Sequence, residues 1–219
     1  MKTESKVLLA ILALTVLILF GGVFILGKNS TQTNSSQVDK EIEQINYSLG
    51  QKVGSDSAKV KLVEFSDFQC PACKAFEPQV EQLLSDTKDK DFQFVYRHFP
   101  LPQHKNAKQA AVFAEAAAEQ GQFWPIHDLL FKTQEEWTNL SNPTDYFIKM
   151  AEGLNLDVEK LKQSMSESKL KDRVEQDISE GVGLRINSTP TFYINGRKLE
   201  LQKLADLNFL VEQELKSNP

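Results

Sequence analysis

Cys70-Pro71-Ala72-Cys73 contains every cysteine of this 219-residue chain. Two thiols separated by two residues can alternate between dithiol and disulfide, and with no third cysteine each is the other's natural partner. The pair follows an apolar, strand-like run, Val60-Lys61-Leu62-Val63-Glu64-Phe65, and Pro71 stands at the favoured first position of a helix. Cys70 therefore falls at or next to a helix cap, where free backbone N–H groups and the partial positive charge of the helix end favour a thiolate. That makes Cys70 the candidate nucleophile. Cys73, one turn further in, should be more buried and fits the resolving thiol that attacks a mixed disulfide and releases substrate. A purely structural disulfide would close a very short loop and restrict the unfolded chain little. Half of a zinc site is the other alternative, but no second cysteine pair exists and the three histidines have no matching spacing.

Glu64 precedes Cys70 by six residues in an otherwise apolar strand. A carboxyl buried there would have a raised pKa and could exchange a proton with Cys73; the alternative is a solvated glutamate on a sheet edge. Asp67 reads as a loop or capping residue. His98 ends a strand and His104 precedes a helix, so both read as structural or surface groups, and His127 gains nothing more from its spacing. Phe123, Trp124 and Phe131 read as the core of a helical region.

These residues need elements to hold them. After the strand at Val60 and a helix through Phe76, Val80, Leu83 and Leu84, kinked at Pro78, alternation predicts a strand over Phe92–Arg97. Strand, helix, strand is a βαβ unit with parallel pairing. A helical stretch follows: Ala107–Glu119 ending at Gly121, a helix opened by Trp124-Pro125, one capped by Thr144, one from Val158 capped by Asp157, and one from about Leu170 to Gly181. Strands return at Thr191–Ile194 and Lys198–Leu201, joined by an Asn195-Gly196 turn, before a last amphipathic helix carrying Leu204, Leu207, Leu210, Val211 and Leu215.

Val7–Gly27 holds no charged residue. At 1.5 Å per residue it reaches about 30 Å, the thickness of a bilayer core. A cleaved secretory signal is the rival, but its apolar core is usually shorter and ends in a small-x-small site, which is not found at a convincing place after Gly27. Lys2, Lys6 and the amino terminus put residues 1–6 in the cytoplasm and the rest outside, where disulfides persist. Residues 28–55, rich in Ser, Thr, Asn and Gln, read as a polar linker with a short helix around Asp39–Tyr47. Residues 56–219 are then one domain, with a helical insertion at about 103–180. A net charge of −5 and a pI near 5.4 argue against a nucleic-acid partner.

The order of elements resembles the thioredoxin fold with a helical insertion, as in DsbA-like thiol:disulfide oxidoreductases. The likeness is carried by Glu64-Phe65-Ser66-Asp67-Phe68-Gln69-Cys70-Pro71-Ala72-Cys73, Arg97-His98-Phe99-Pro100-Leu101, Phe123-Trp124 with His127-Asp128, and Ser188-Thr189-Pro190-Thr191-Phe192-Tyr193-Ile194-Asn195-Gly196. It implies an α/β fold, preceded here by the one transmembrane helix expected from Val7–Gly27. It also implies Cys70, Cys73 and Glu64 as catalytic residues, with Thr189, Pro190, Pro71 and Ala72 as the substrate-binding surface. In the family the proline at 190 is cis and faces the cysteines, and the backbone before it pairs with substrate as an added strand. No metal or cofactor is implied beyond the Cys70–Cys73 disulfide. The implied partners are cysteine-containing exported proteins and a membrane redox protein that restores the disulfide, with the chain itself a monomer. Ala72 departs from strongly oxidising members, which often carry histidine there. It supplies neither charge nor hydrogen bond, so Cys70 should be less acidified and the potential should lie between roughly −270 and −120 mV. Two alternatives remain: a reductase or isomerase of the same fold, and a non-catalytic, membrane-tethered peptide-binding module.

Overall fold

The computed structural model describes residues 43–218. The apolar span at 7–27 and most of the polar linker lie outside them. Among the described residues no helix is long and apolar enough to cross a membrane.

A mixed sheet forms the frame. Its strands are β1 (Gln51–Gly54), β2 (Val60–Ser66), β3 (Phe92–His98), β4 (Thr191–Ile194) and β5 (Arg197–Lys198), in the order β1-β3-β2-β4-β5. β2 and β3 run parallel, with Leu62 opposite Phe94 and Glu64 opposite Tyr96; the other neighbours pair antiparallel. A parallel pair requires a crossover, and α1 (Pro71–Thr87) supplies it. β2 is covered on both faces, which is why it reads as an apolar run rather than an alternating one. Val60 and Leu62 belong to the large core shared with α1 and the insertion, while Val63 and Phe65 join Ile45, Val95, Phe99, Ile186 and Tyr193 on the opposite face. By the two-residue period, Glu64 points with Leu62 toward α1.

The insertion comprises α2 (Ala107–Ala118), α3 (Phe123–Lys132), α4 (Gln134–Trp137), α5 (Thr144–Gly153), α6 (Val158–Ser166) and α7 (Ser168–Gly183), and α8 (Asp206–Ser217) ends the described chain. Alanines at 110, 111, 114, 116 and 117 are buried and let α2 be packed closely, with Phe113 stacked on Phe147 at 4.8 Å. Trp137 is fully buried, its indole N–H donating to the Leu130 carbonyl at 2.9 Å.

Four expectations are corrected. The linker does not extend to residue 55: Gln51–Gly54 is strand β1, paired with Gln93–Tyr96 of β3. Gly54 permits that approach, since its φ is +96° and a Cβ there would lie 2.2 Å from the Phe92 carbonyl oxygen. Residues 43–47 of the expected short helix are not helical. The last hairpin has the Asn195-Gly196 turn, with φ of 47° and 78°, but its second strand stops at Lys198 rather than Leu201. Thr144 is the first helical residue rather than the cap; Asn142 Oδ1 accepts its N–H at 3.0 Å. Asp157 caps α6 as expected, accepting from the Lys160 N–H.

Candidate active site

Asp67 shapes the turn between β2 and α1. Its buried carboxylate accepts from the Gln69 N–H (2.7 Å), the Leu101 N–H (2.8 Å) and His104 Nδ1 (2.7 Å), and its carbonyl accepts from the Cys70 N–H (3.0 Å). The insertion grips the same turn. Gln134 of α4 donates Nε2 to the carbonyls of Phe68 (2.8 Å) and Cys70 (3.0 Å), and Gln69 Oε1 accepts the Asn106 N–H (2.8 Å).

So held, Cys70 is the N-cap of α1 in extended conformation, with Pro71 at the first helical position. Both cysteines are free thiols; Cys70 is 6% exposed and Cys73 is 0%. Pro71 and Ala72 are exposed beside them. The Cys70 thiol points at the Thr189 carbonyl oxygen, 3.4 Å away, and the Thr189–Pro190 bond is cis. Beyond Pro190 a groove of about 250 Å³ is lined by Phe76, Phe192, Leu199 and Leu201.

The electrostatics separate the two sulfurs. The Cys73 thiol donating to Cys70, above all, lowers the Cys70 pKa to about 5. Burial opposes the shift, while Thr189 and the backbone N–H groups of Cys73 and Ala72 reinforce it. The Thr189 hydroxyl itself is buried without a hydrogen-bond partner. At neutral pH such a thiol is almost wholly thiolate, against about 3% for an ordinary one. Cys73 moves the other way: burial first, then the neighbouring Cys70 and Glu64, push its pKa well above the usual thiol range. Glu64 is fully buried, and desolvation raises it to about 7, with the Cys70 charge adding to the rise and Ser66 opposing it.

Cys70, Cys73, Glu64, Thr189 and Pro190 are thus brought together, and the solvated-edge alternative for Glu64 is excluded by its burial. His98 and His104 serve as structural partners, of Glu115 (3.0 Å) and of Asp67. Phe123 and Phe131 are buried in the core, with Trp124 packed against it. Gln134 and Glu77 escaped the sequence reading. Gln134 left a trace, a polar residue interrupting the buried stripe of Leu130, Phe131 and Trp137; Glu77 left one too, four residues after Cys73 on the same helix.

The fold and this cap geometry define a thioredoxin-type protein. The family model described as thioredoxin matches residues 49–213, and the chain belongs to that family. Its DsbA-like character is supported by the oxidised BdbD structure from Bacillus subtilis, which superposes with a TM-score of 0.67 at 26% identity, covering 80% of this chain and 97% of that one. The Bacillus anthracis protein named "Probable disulfide bond formation protein D" is 28% identical over 222 residues, covering 99% of this chain and 100% of its own length. The Wolbachia pipientis α-DsbA1 structure shares the fold, with a TM-score of 0.66 at 21% identity over 80% of this chain and 94% of that one. A Salinispora tropica protein named Na(+)/H(+) antiporter NhaA 3 is 40% identical over 146 residues, 66% of this chain; the chain spans 21% of that relative's length.

Proposed function

We propose that this protein is an extracytoplasmic thiol:disulfide oxidoreductase that oxidises cysteine pairs in exported proteins through Cys70 and Cys73. One observation carries the reading: Cys70 caps α1 against the Thr189 carbonyl with a pKa of about 5, while Cys73 behind it is pushed far up. A substrate thiolate attacks Cys70 Sγ, the Cys70–Cys73 bond breaks, and its electron pair leaves on Cys73, which is protonated from Glu64. A second substrate thiolate then attacks the substrate sulfur of the mixed disulfide, and Cys70 departs as a stable thiolate, a good leaving group. That preference for the reduced pair favours oxidation of clients over their reduction. Substrate backbone lies along Thr189 and Pro190, with Pro71 and Ala72 flanking the sulfur and the Phe76–Leu199–Leu201 groove taking apolar side chains. The likeness to disulfide bond formation protein D supports this activity.

Residues 7–27 anchor the protein in the membrane with its N-terminus in the cytoplasm, and a membrane redox protein restores the disulfide; the chain acts as a monomer. The test is refolding of a reduced, unfolded disulfide protein beside an insulin-reduction assay. Oxidative refolding with wild-type protein, lost in Cys70→Ser, is expected. Insulin reduction without any oxidase activity would favour the reductase reading, and inactivity in both with retained peptide binding the binding module. Alkaline carbonate should leave the full chain in the membrane pellet; release into the supernatant would refute the anchor.

A further inference from the structure

Two buried polar atoms face each other across the seam between α1 and α3 without touching. His127 is only 2% exposed and its Nε2 has no hydrogen-bond partner; Glu77 Oε1, also buried and unpartnered, stands 3.9 Å away. That is about 1 Å beyond hydrogen-bond reach. Native interiors leave few such atoms, and each calls for an explanation. The imidazole is held firmly in place. Phe68, Tyr96, Trp124 and Phe131 pack around it, Tyr96 at 4.9 Å and Trp124 at 5.2 Å. On its other edge Nδ1–H donates to Asp128 Oδ1 at 2.9 Å, which fixes the tautomer and leaves the Nε2 lone pair bare toward Glu77. Glu77 is not sealed off: its side chain is 19% exposed and lines an open groove with Lys74, Glu81, Asp128 and Lys132.

We propose that His127 Nε2 and the Glu77 carboxylate hold a zinc ion between them, with Asp128 orienting the imidazole and water from the groove completing the shell. The site depends on the packing of α1 against α3 and not on the thiol chemistry. A metal-binding histidine characteristically donates its second ring N–H to a carboxylate, which is what His127 does to Asp128. Zinc bonds of about 2.0–2.1 Å set neighbouring tetrahedral ligands roughly 3.3 Å apart. From 3.9 Å, Glu77 Oε1 has to close by only about 0.6 Å to meet that spacing. One imidazole nitrogen and one carboxylate oxygen suit zinc, whereas calcium and magnesium favour shells made of oxygen alone.

The surrounding charges favour a cation. Ligand-type atoms of Glu77, His127 and Asp128 lie within 4.8 Å of one another, and Glu81 adds a third carboxylate to the groove. Of the two lysines there, Lys74 is already paired with Glu135. Burial first, then the charges of Glu64, Asp128 and Glu81, raise Glu77 to about 9, and zinc displaces that proton as it binds. Filled, the site clips the helix that carries both cysteines to the insertion.

The test titrates the full-length chain with zinc chloride against a chromophoric chelator, keeping the disulfide closed so that the cysteines cannot take the metal. One zinc per chain is expected. Glu77→Gln should weaken binding at least about tenfold, and Asp128→Asn, which leaves both ligands in place, about ten- to a hundredfold. Glu159→Gln, which alters an exposed carboxylate on α6, should leave the affinity as it was. Calcium should not compete. In nitrogen-15 spectra of the wild-type histidines, zinc should shift His127 Nε2 and leave His98 and His104 unmoved, which reads the site without altering the core. Zinc should also raise the thermal midpoint of wild-type protein and not that of Glu77→Gln. Wild-type affinity in Glu77→Gln or Asp128→Asn, displacement by calcium, or a shift confined to His98 or His104 overturns the site.

Discussion

The two sulfurs of this site share a helix and one hydrogen bond, yet their proton affinities are driven apart. Because the Cys73 thiol is the largest stabiliser of the Cys70 thiolate, iodoacetamide alkylation of Cys70 should titrate with a midpoint near pH 5, and Cys73→Ala should move that midpoint upward. An unchanged midpoint would assign the acidity to the helix end alone. Glu64 offers the opposite test. Its folded pKa of about 7 lies above the ordinary glutamate value of about 4.5, so its burial costs nothing where both states are protonated and costs increasingly as pH rises from 4.5 to 7. Glu64→Gln should therefore stabilise the protein at pH 8 by on the order of 3 kcal/mol, and by almost nothing at pH 4.5, in urea unfolding curves. The same substitution should slow disulfide closure, separating the stability of this carboxyl from its chemistry.

At the scale of elements, the short helix α4 clasps the catalytic turn through one side chain. Gln134→Leu leaves the Phe68 carbonyl without that donor, while Cys70 O keeps the Lys74 N–H at 3.2 Å. A loss of about 2 kcal/mol is expected in denaturant unfolding, together with a shifted Cys70 alkylation midpoint as the turn loosens. Much of this frame was legible in the sequence. β2, α1, β3 and the Thr191–Ile194 strand announce themselves through apolar runs, Pro71 and the Asn195-Gly196 turn. β1 does not: Gln51-Lys52-Val53-Gly54 has a single apolar residue and no alternation, and it exists because β3 offers an edge and Gly54 fits beneath the Phe92 carbonyl. Glu64 was legible as a polar residue in an apolar run. The Glu77–His127 pairing was not, because it joins α1 to α3 across some fifty residues of sequence and arises only from packing.

Across the whole molecule, sheet and insertion are fastened by a buried ion cluster. Arg97 of β3 is fully buried, pairs through Nε with Asp177 and through Nη2 with Glu180 of α7, and reaches the Asn46 carbonyl at 3.2 Å. Asp177 also accepts the His98 N–H at 2.9 Å. Asp177→Ala strands this guanidinium in the interior and should lower unfolding free energy by roughly 3–5 kcal/mol, far beyond a surface pair such as Lys162–Glu159. A comparable loss at both sites would mean that solvent reaches the cluster. The strand that precedes this machinery has its own bearing on how the domain can be dissected. Every residue of Phe92–His98 is buried, and Gln51–Gly54 closes its outer border. A minimal fragment begun at Val60 would hand that row of amides and carbonyls to the nearest sibling, and catalytic competence would end in oligomers and precipitate.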